Sequence, residues 1–255
     1  MTLNYKVFGS GEPVIILHGL FGMLDNWQTF AKKLAEEYQV YIIDQRNHGK
    51  SPHTDAFSYK LMSSDLHGFI SEHEIESPHI IGHSMGGKTV MQYAADYPDS
   101  ARSITIVDMA PKTYRGSHEE IFEAVLSMDL ASLDKRRDAD QHLALSIGNI
   151  GVRQFLLKNL SRSSEGFKWK ANFQSLYNHY EAILGNVELG HALGTPALFV
   201  YSDHSGYLVQ DDIEMVSSIF TAGTFIEMKA GHWLHAEKPM ELMEFVKEHI
   251  ANTKL

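Results

Sequence analysis

Short apolar runs recur along the chain, each ending in a cluster of small or polar residues. Pro13-Val-Ile-Ile-Leu17, Gln39–Ile43, Pro78–Ile81 and Ser103–Val107 are continuous and rich in β-branched residues. That is the pattern of strands buried on both faces. Between them lie segments with helical spacing. Trp27, Phe30, Leu34 and Tyr38 fall on one face of Asp25–Tyr38, with Asp25 placed to cap its start. Tyr59–His73 and Lys88–Tyr97 are amphipathic as well. Leu3–Phe8 alternates and reads as an edge strand, closed by the turn Gly9-Ser-Gly11. Strand and helix alternate, which predicts a mostly parallel sheet with helices on both faces.

The pattern changes after Pro111. From Lys112 to Gly194 no strand-like run stands out. Helical segments are expected around Ser117–Met128, Asp134–Ile147, Val152–Leu160 and Trp169–Leu184, punctuated by glycines. Strands then resume at Pro196–Tyr201 and Thr224–Met228, with helices over Tyr207–Ile219 and Glu237–Ile250. The expected organisation is a core of residues 1–111 and 195–255, interrupted by a helical cap over residues 112–194.

Composition narrows the chemistry. The 255 residues include 22 Lys and Arg against 32 Asp and Glu, a formal charge of −10. This argues against nucleic acid or an anionic membrane as the main partner. There are no cysteines, so disulfides, thiolate nucleophiles and cysteine-based metal sites are excluded. The 15 histidines show no metal-ligand spacing, and no metal or cofactor is expected. No apolar run is long enough for a membrane helix, and the first residues do not read as an export signal. A cytoplasmic enzyme is the expectation. Asn159-Leu-Ser161 matches a glycosylation acceptor and is read as incidental.

Candidate chemistry centres on His79-Ile-Ile-Gly82-His-Ser84-Met-Gly86-Gly87. A buried strand followed by Gly-x-Ser-x-Gly and a helix is the setting of a nucleophile elbow, which projects a serine Oγ above the sheet edge. A serine hydroxyl needs a base within reach, and the base needs an orienting carboxylate. In this setting the chain order is serine, acid, histidine. His232 follows the last strand; His235, three residues on, is the rival, with a supporting role expected. Two carboxylates compete for the acid. Asp108 ends the strand after Ser84's own helix, and Asp203 follows the strand Pro196–Tyr201. Asp108 is preferred, with Ser205 expected to hydrogen-bond it or the histidine and Asp203 held in reserve. Oxyanion donors are expected from the backbone N–H of Met85 and of Leu20, with Phe21 next. His18 reads as a structural tie. Phe21, Leu24, Met109 and Trp233 neighbour the site in sequence and are expected to line an acyl pocket. Asp44, Arg46, Asn47, His48 and Gly49 read as loop scaffolding, with substrate contact the alternative. Among the aromatic residues of the cap, Phe122, Phe155, Phe167, Trp169, Phe173 and Tyr177, most are expected in its core and some in the cleft.

These stretches resemble the α/β-hydrolase superfamily and, within it, the YbfF-type esterases. The matching segments are His18–Gly22 with Leu24-Asp-Asn26, Arg46-Asn-His-Gly49 with Ser51-Pro52, Gly82–Lys88, Asp108–Pro111, His118–Phe122, Gln154–Lys158 and Gly231–Pro239. The resemblance implies an α/β-hydrolase fold with a mostly parallel eight-stranded sheet flanked by helices and an inserted helical cap. It implies a serine esterase or thioesterase acting on small acyl esters, including acyl-CoA, with Ser84, Asp108 and His232 as its trio. Many superfamily members carry Gly-x-x-Asp after the strand that here precedes Asp203; the family has serine there, as at Ser205. Lys112, Arg115, Arg153 and Lys158 read as surface charge, with contact to a CoA phosphate the alternative. Carbon–carbon bond hydrolysis and cofactor-free haloperoxidase chemistry use the same scaffold, and a non-catalytic ligand-binding module is the third reading.

Overall fold

A computed structural model describes residues 1–164 and 166–253. In chain order the elements are β1 (Tyr5–Phe8), β2 (Pro13–Leu17), α1 (Gln28–Leu34), β3 (Gln39–Ile43), α2 (Tyr59–Glu72), β4 (His79–His83), α3 (Met85–Asp96) and β5 (Ser103–Val107). Then come α4 (Glu119–Leu126), α5 (Arg136–Leu143), α6 (Ile150–Leu157), β6 (Leu160–Ser163), β7 (Gly166–Trp169), α7 (Phe173–Asn178) and α8 (Tyr180–Leu184). The chain closes with β8 (Ala197–Ser202), α9 (Ile213–Ile219), β9 (Gly223–Met228), α10 (Leu234–Glu237) and α11 (Pro239–Asn252).

The main sheet has the order β1-β3-β2-β4-β5-β8-β9, parallel except for β1, which pairs antiparallel with β3. It has seven strands among the described residues, not the eight implied by resemblance. Ahead of β2 lie β1 and a tight turn, with Gly9 and Gly11 at φ 71° and 111°.

Side-chain alternation along the strands builds the core. Ile15, Leu17, Tyr41, Ile43, Ile104, Ile106 and Phe199 face one side, packed under α2 and α3. Val14, Ile16, Val40, Ile42, Leu198 and Val200 face the other, where α1 supplies Phe30, Ala31 and Leu34 and α11 supplies Leu242, Met243, Val246 and Ile250. Both faces are apolar, which is why the strands read as continuous runs rather than alternating ones.

Three local expectations differ from the structure. Asp25 does not cap α1; it sits in a 3-10 turn (Leu24–Asn26), and its carboxylate meets Lys6 Nζ at 2.6 Å. The insertion between β5 and β8 is not all helical. β6 and β7 form an antiparallel hairpin carrying Gly166 at φ 114°. Its polar run Ser161-Arg-Ser163 lacks the apolar alternation that marks a strand in sequence. The long helical pattern Trp169–Leu184 is two short helices, α7 and α8, meeting at His179.

Candidate active site

Strand register brings the key residues together. His83 at the end of β4 pairs with Val107 at the end of β5, so Ser84 and Asp108 leave adjacent strands at the same sheet edge. Ser84 N–H donates to Val107 O at 3.1 Å, and Asp108 N–H to Val200 O at 2.8 Å. Both residues hold positive φ, 53° at Ser84 and 52° at Asp108. Non-glycine residues avoid this region, at a cost of about 1–3 kcal/mol, and such strain gathers at functional sites. The elbow closes because its neighbours are glycines. A Cβ on Gly82 would stand 2.4 Å from Gly86 O, and one on Gly86 would stand 2.6 Å from His18 O and Leu17 O.

Asp108 is fully buried and receives three donors. Its Oδ1 accepts from Ser202 N–H at 3.0 Å and Ser205 Oγ at 2.8 Å; its Oδ2 lies 2.6 Å from His232 Nδ1. That bond fixes the His232 tautomer with its proton on Nδ1, leaving Nε2 as an acceptor. The His232 ring stacks on Tyr207, at 4.1 Å between centroids, and lies 4.6 Å from the tilted ring of His83. His83 Nε2–H donates to His232 O at 2.8 Å. Burial, with His232 and His235 nearby, pushes the His83 pKa well below its usual value, so His83 donates as a neutral ring.

Asp203 stands apart from the imidazole. Its Oδ1 receives His204 Nδ1 at 2.5 Å and Ala230 N–H at 3.2 Å. Ser202 Oγ donates to Ala230 O. Together they grip the peptide two residues before His232. His235 stacks on Trp27, at 4.1 Å and 12° between planes, and burial first, then His232, hold its pKa down at about 3.

The loop after β2 is held by two neutral histidines. His18 Nδ1–H donates to Gly19 O at 2.8 Å while its Nε2 accepts Gln45 N–H at 3.1 Å. His48 Nδ1–H donates to Arg46 O at 2.9 Å while its Nε2 accepts Phe21 N–H at 3.3 Å. Both rings are buried, and desolvation lowers their pKa values to about 4 and about 3. With Phe21 N–H engaged, the Leu20 and Met85 N–H groups are left without acceptors among the described residues. Met85 opens α3, where a helix start leaves its first N–H groups unpaired. Phe21 itself is at φ 60°.

A cavity of about 480 Å³ is lined by Ser84, His232, Leu20, Phe21, Met85, Met109, Ser205 and Trp233. Leu24 does not reach it. Its N–H is tied to Asp44 Oδ1 at 2.7 Å, and its side chain packs into the core on the other face of the sheet. Asn26 and Trp27 line the cavity instead. Of the aromatic residues of the insertion, Tyr114 and Phe155 line it, while Phe122 and Phe173 pack on Phe21 at 5.0 and 5.4 Å.

Asp44, Arg46 and Asn47 are scaffold. Asp44 also accepts Asn4 Nδ2 at 2.6 Å and Lys50 N–H at 2.9 Å, Arg46 Nε meets Asp65 at 2.7 Å, and Asn47 O takes Asn172 N–H at 2.8 Å. Lys112 and Arg153 are paired with Asp212 and Asp140, and Arg115 lines the cavity. Lys88, four residues after Ser84, escaped the sequence reading. It is 1% exposed, its Nζ donates to Leu184 O and Gly185 O at the end of α8, and burial lowers its pKa to about 7. Helix periodicity places it on Ser84's face, but nothing in the sequence marks that face as covered.

Comparison with known proteins shows the family. The model of the alpha/beta hydrolase fold family matches residues 12–239. The chain belongs to the α/β-hydrolase family. It is 32% identical to esterase YbfF of Escherichia coli, over 94% of each chain. It is 33% identical to the sn-1-specific diacylglycerol lipase ABHD11 of Danio rerio, over 96% of this chain and 81% of that one. A solved marine microorganism esterase is 39% identical and superposes with a TM-score of 0.94, over 97% of this chain and 98% of that one. As an α/β hydrolase, the chain carries its candidate residues where strand ends meet at one sheet edge, the usual ligand position of such sheets. No helix among the described residues is long and apolar enough to cross a membrane.

Proposed function

We propose that this protein is a serine hydrolase of carboxylic esters and thioesters. The observation that carries the reading is the buried Asp108 bonded to His232 at 2.6 Å, facing the cavity that the strained Ser84 lines. His232 Nε2 takes the Ser84 proton as Oγ attacks the substrate carbonyl. The oxyanion is held between Leu20 N–H and Met85 N–H. The tetrahedral intermediate collapses, and His232 gives its proton to the leaving alkoxide or thiolate. Water, deprotonated by His232, then attacks the acyl-enzyme and frees the acid. Residues 112–194 act as a cap over a core of residues 1–111 and 195–255. The relatives named esterase and lipase support an ester substrate, and the apolar side chains of Met109, Ile121, Val152 and Leu184 along the cavity suit an acyl chain.

Steady-state kinetics over p-nitrophenyl esters and acyl thioesters of graded chain length test the reading. Because the chain has no cysteine, released thiol can be titrated directly without protein background. Ser84→Ala should lower kcat by several orders of magnitude on every substrate the wild type cleaves, and adding a His232 substitution should cost little more. Full activity in Ser84→Ala would exclude Ser84 as the nucleophile.

A further inference from the structure

Asn159 lies between α6 and β6 in the insertion and is fully buried, so the acceptor motif it opens is closed to glycosylation. Its backbone is fixed on both sides. The N–H donates to Leu156 O at 2.9 Å, and the C=O accepts Lys170 N–H at 2.8 Å. Its side chain leaves the insertion, and Nδ2 donates to Phe21 O at 2.7 Å. A carbonyl oxygen only accepts, so the amide must present its NH₂ there. Its Oδ1 has no donor among the described residues. The amide is therefore buried for one hydrogen bond, an arrangement proteins rarely keep without a use.

Phe21 is the residue this bond restrains. It holds φ 60°, and its N–H is already engaged by His48 Nε2. One clamp thus comes from the core and the other from the insertion. Leu20, whose N–H has no acceptor among the described residues, immediately precedes the clamped residue and lines the cavity beside Ser84.

We propose that Asn159 is a positioning residue for the oxyanion loop, so that the insertion sets the orientation of the Leu20 N–H. This rests on the hydrolase reading above. A donor preorganised for the transition state lowers the barrier, and a displacement of about 1 Å can cost about a hundredfold in rate. A tie that merely closed the insertion on the core would instead affect substrate entry and stability.

The test uses Asn159→Ala and the near-isosteric Asn159→Leu, which keeps the volume but has no donor. For each, kcat and KM are measured on one p-nitrophenyl ester, together with affinity for a trifluoromethyl ketone analogue and thermal melting. The expected result is a fall in kcat of about ten- to a hundredfold with KM within about threefold, and a matching loss of ketone affinity. Wild-type kcat in either folded variant, or a loss confined to KM, would overturn the proposal. If Asn159→Ala fails to fold, Asn159→Leu carries the test. Fluorophosphonate labelling of the wild type separates the two ideas. A wild type that labels at Ser84 while both variants stay fully active sinks only the role of Asn159. A wild type that does not label sinks the hydrolase reading beneath it.

Discussion

Asp108 and Asp203 lie near the ends of neighbouring strands, yet only Asp108 reaches the imidazole. Asp108 spends one oxygen on His232 and the other on Ser202 N–H and Ser205 Oγ. Asp203 spends its own on Ala230 N–H and His204. Asp108→Asn should therefore cost about 10³–10⁴ in kcat, because an amide NH₂ facing Nδ1 favours the wrong tautomer. Asp203→Asn should cost under about tenfold, since it removes only a brace on the Ala230 peptide. Parallel kinetics on one ester decide between them; a larger loss for Asp203→Asn would reverse the roles. The place of Asp108 at the end of the strand after Ser84's helix is legible because strand ends can be read from apolar runs. The placement of Leu24 was not, since its direction depends on an Asp44 hydrogen bond twenty residues away in sequence.

At the scale of elements, the β4–α3 turn is a tight joint. Gly82 and Gly86 touch backbone where a side chain would stand, with Gly86 against the last residue of β2 and the first of the oxyanion loop. Gly86→Ala should destabilise the fold by about 3 kcal/mol or more, because the crowding falls on backbone carbonyls that cannot step aside as a side chain would. Urea unfolding of wild type and variant measures this; unchanged stability would mean that the turn relaxes. This joint was readable from sequence because the glycine pattern and the strand-to-helix switch coincide. The β6–β7 hairpin was not, because its outer face is polar and its pairing closes on residues of the insertion itself. The division of Trp169–Leu184 into α7 and α8 was hidden for a similar reason: aromatic spacing survives the break at His179.

For the whole molecule, buried histidines couple stability to pH. His18 and His48 each donate through Nδ1 and accept a backbone N–H through Nε2, so a second proton on either would break the bond it accepts. Their folded pKa values, about 4 and about 3, lie below the unfolded value near 6.5. The unfolded chain therefore binds more protons over that window, and stability rises with pH from about 3 to about 6.5. Between pH 6.5 and 5 the loss should be about 1–2 kcal/mol for each histidine. Chemical unfolding at the two pH values checks this; equal stabilities would show that the rings are not held neutral. The same bonds hold the Gly19–Phe21 loop, so acid should loosen the oxyanion loop before the sheet. The overall fold was legible because one chain-wide alternation of strands and helices determines it. The cavity depends on contacts between the insertion and the core, such as Lys88 with α8 and Asn159 with Phe21, that no local pattern encodes.

We propose Ser84 as the nucleophile, served by His232 and Asp108. This assignment is tested most directly by treating the intact protein with a fluorophosphonate and locating the adduct by peptide mass spectrometry. The expected result is one phosphonyl group, on Ser84, with activity lost in proportion and labelling abolished in Ser84→Ala. An adduct elsewhere, or activity that survives complete labelling of Ser84, would contradict it.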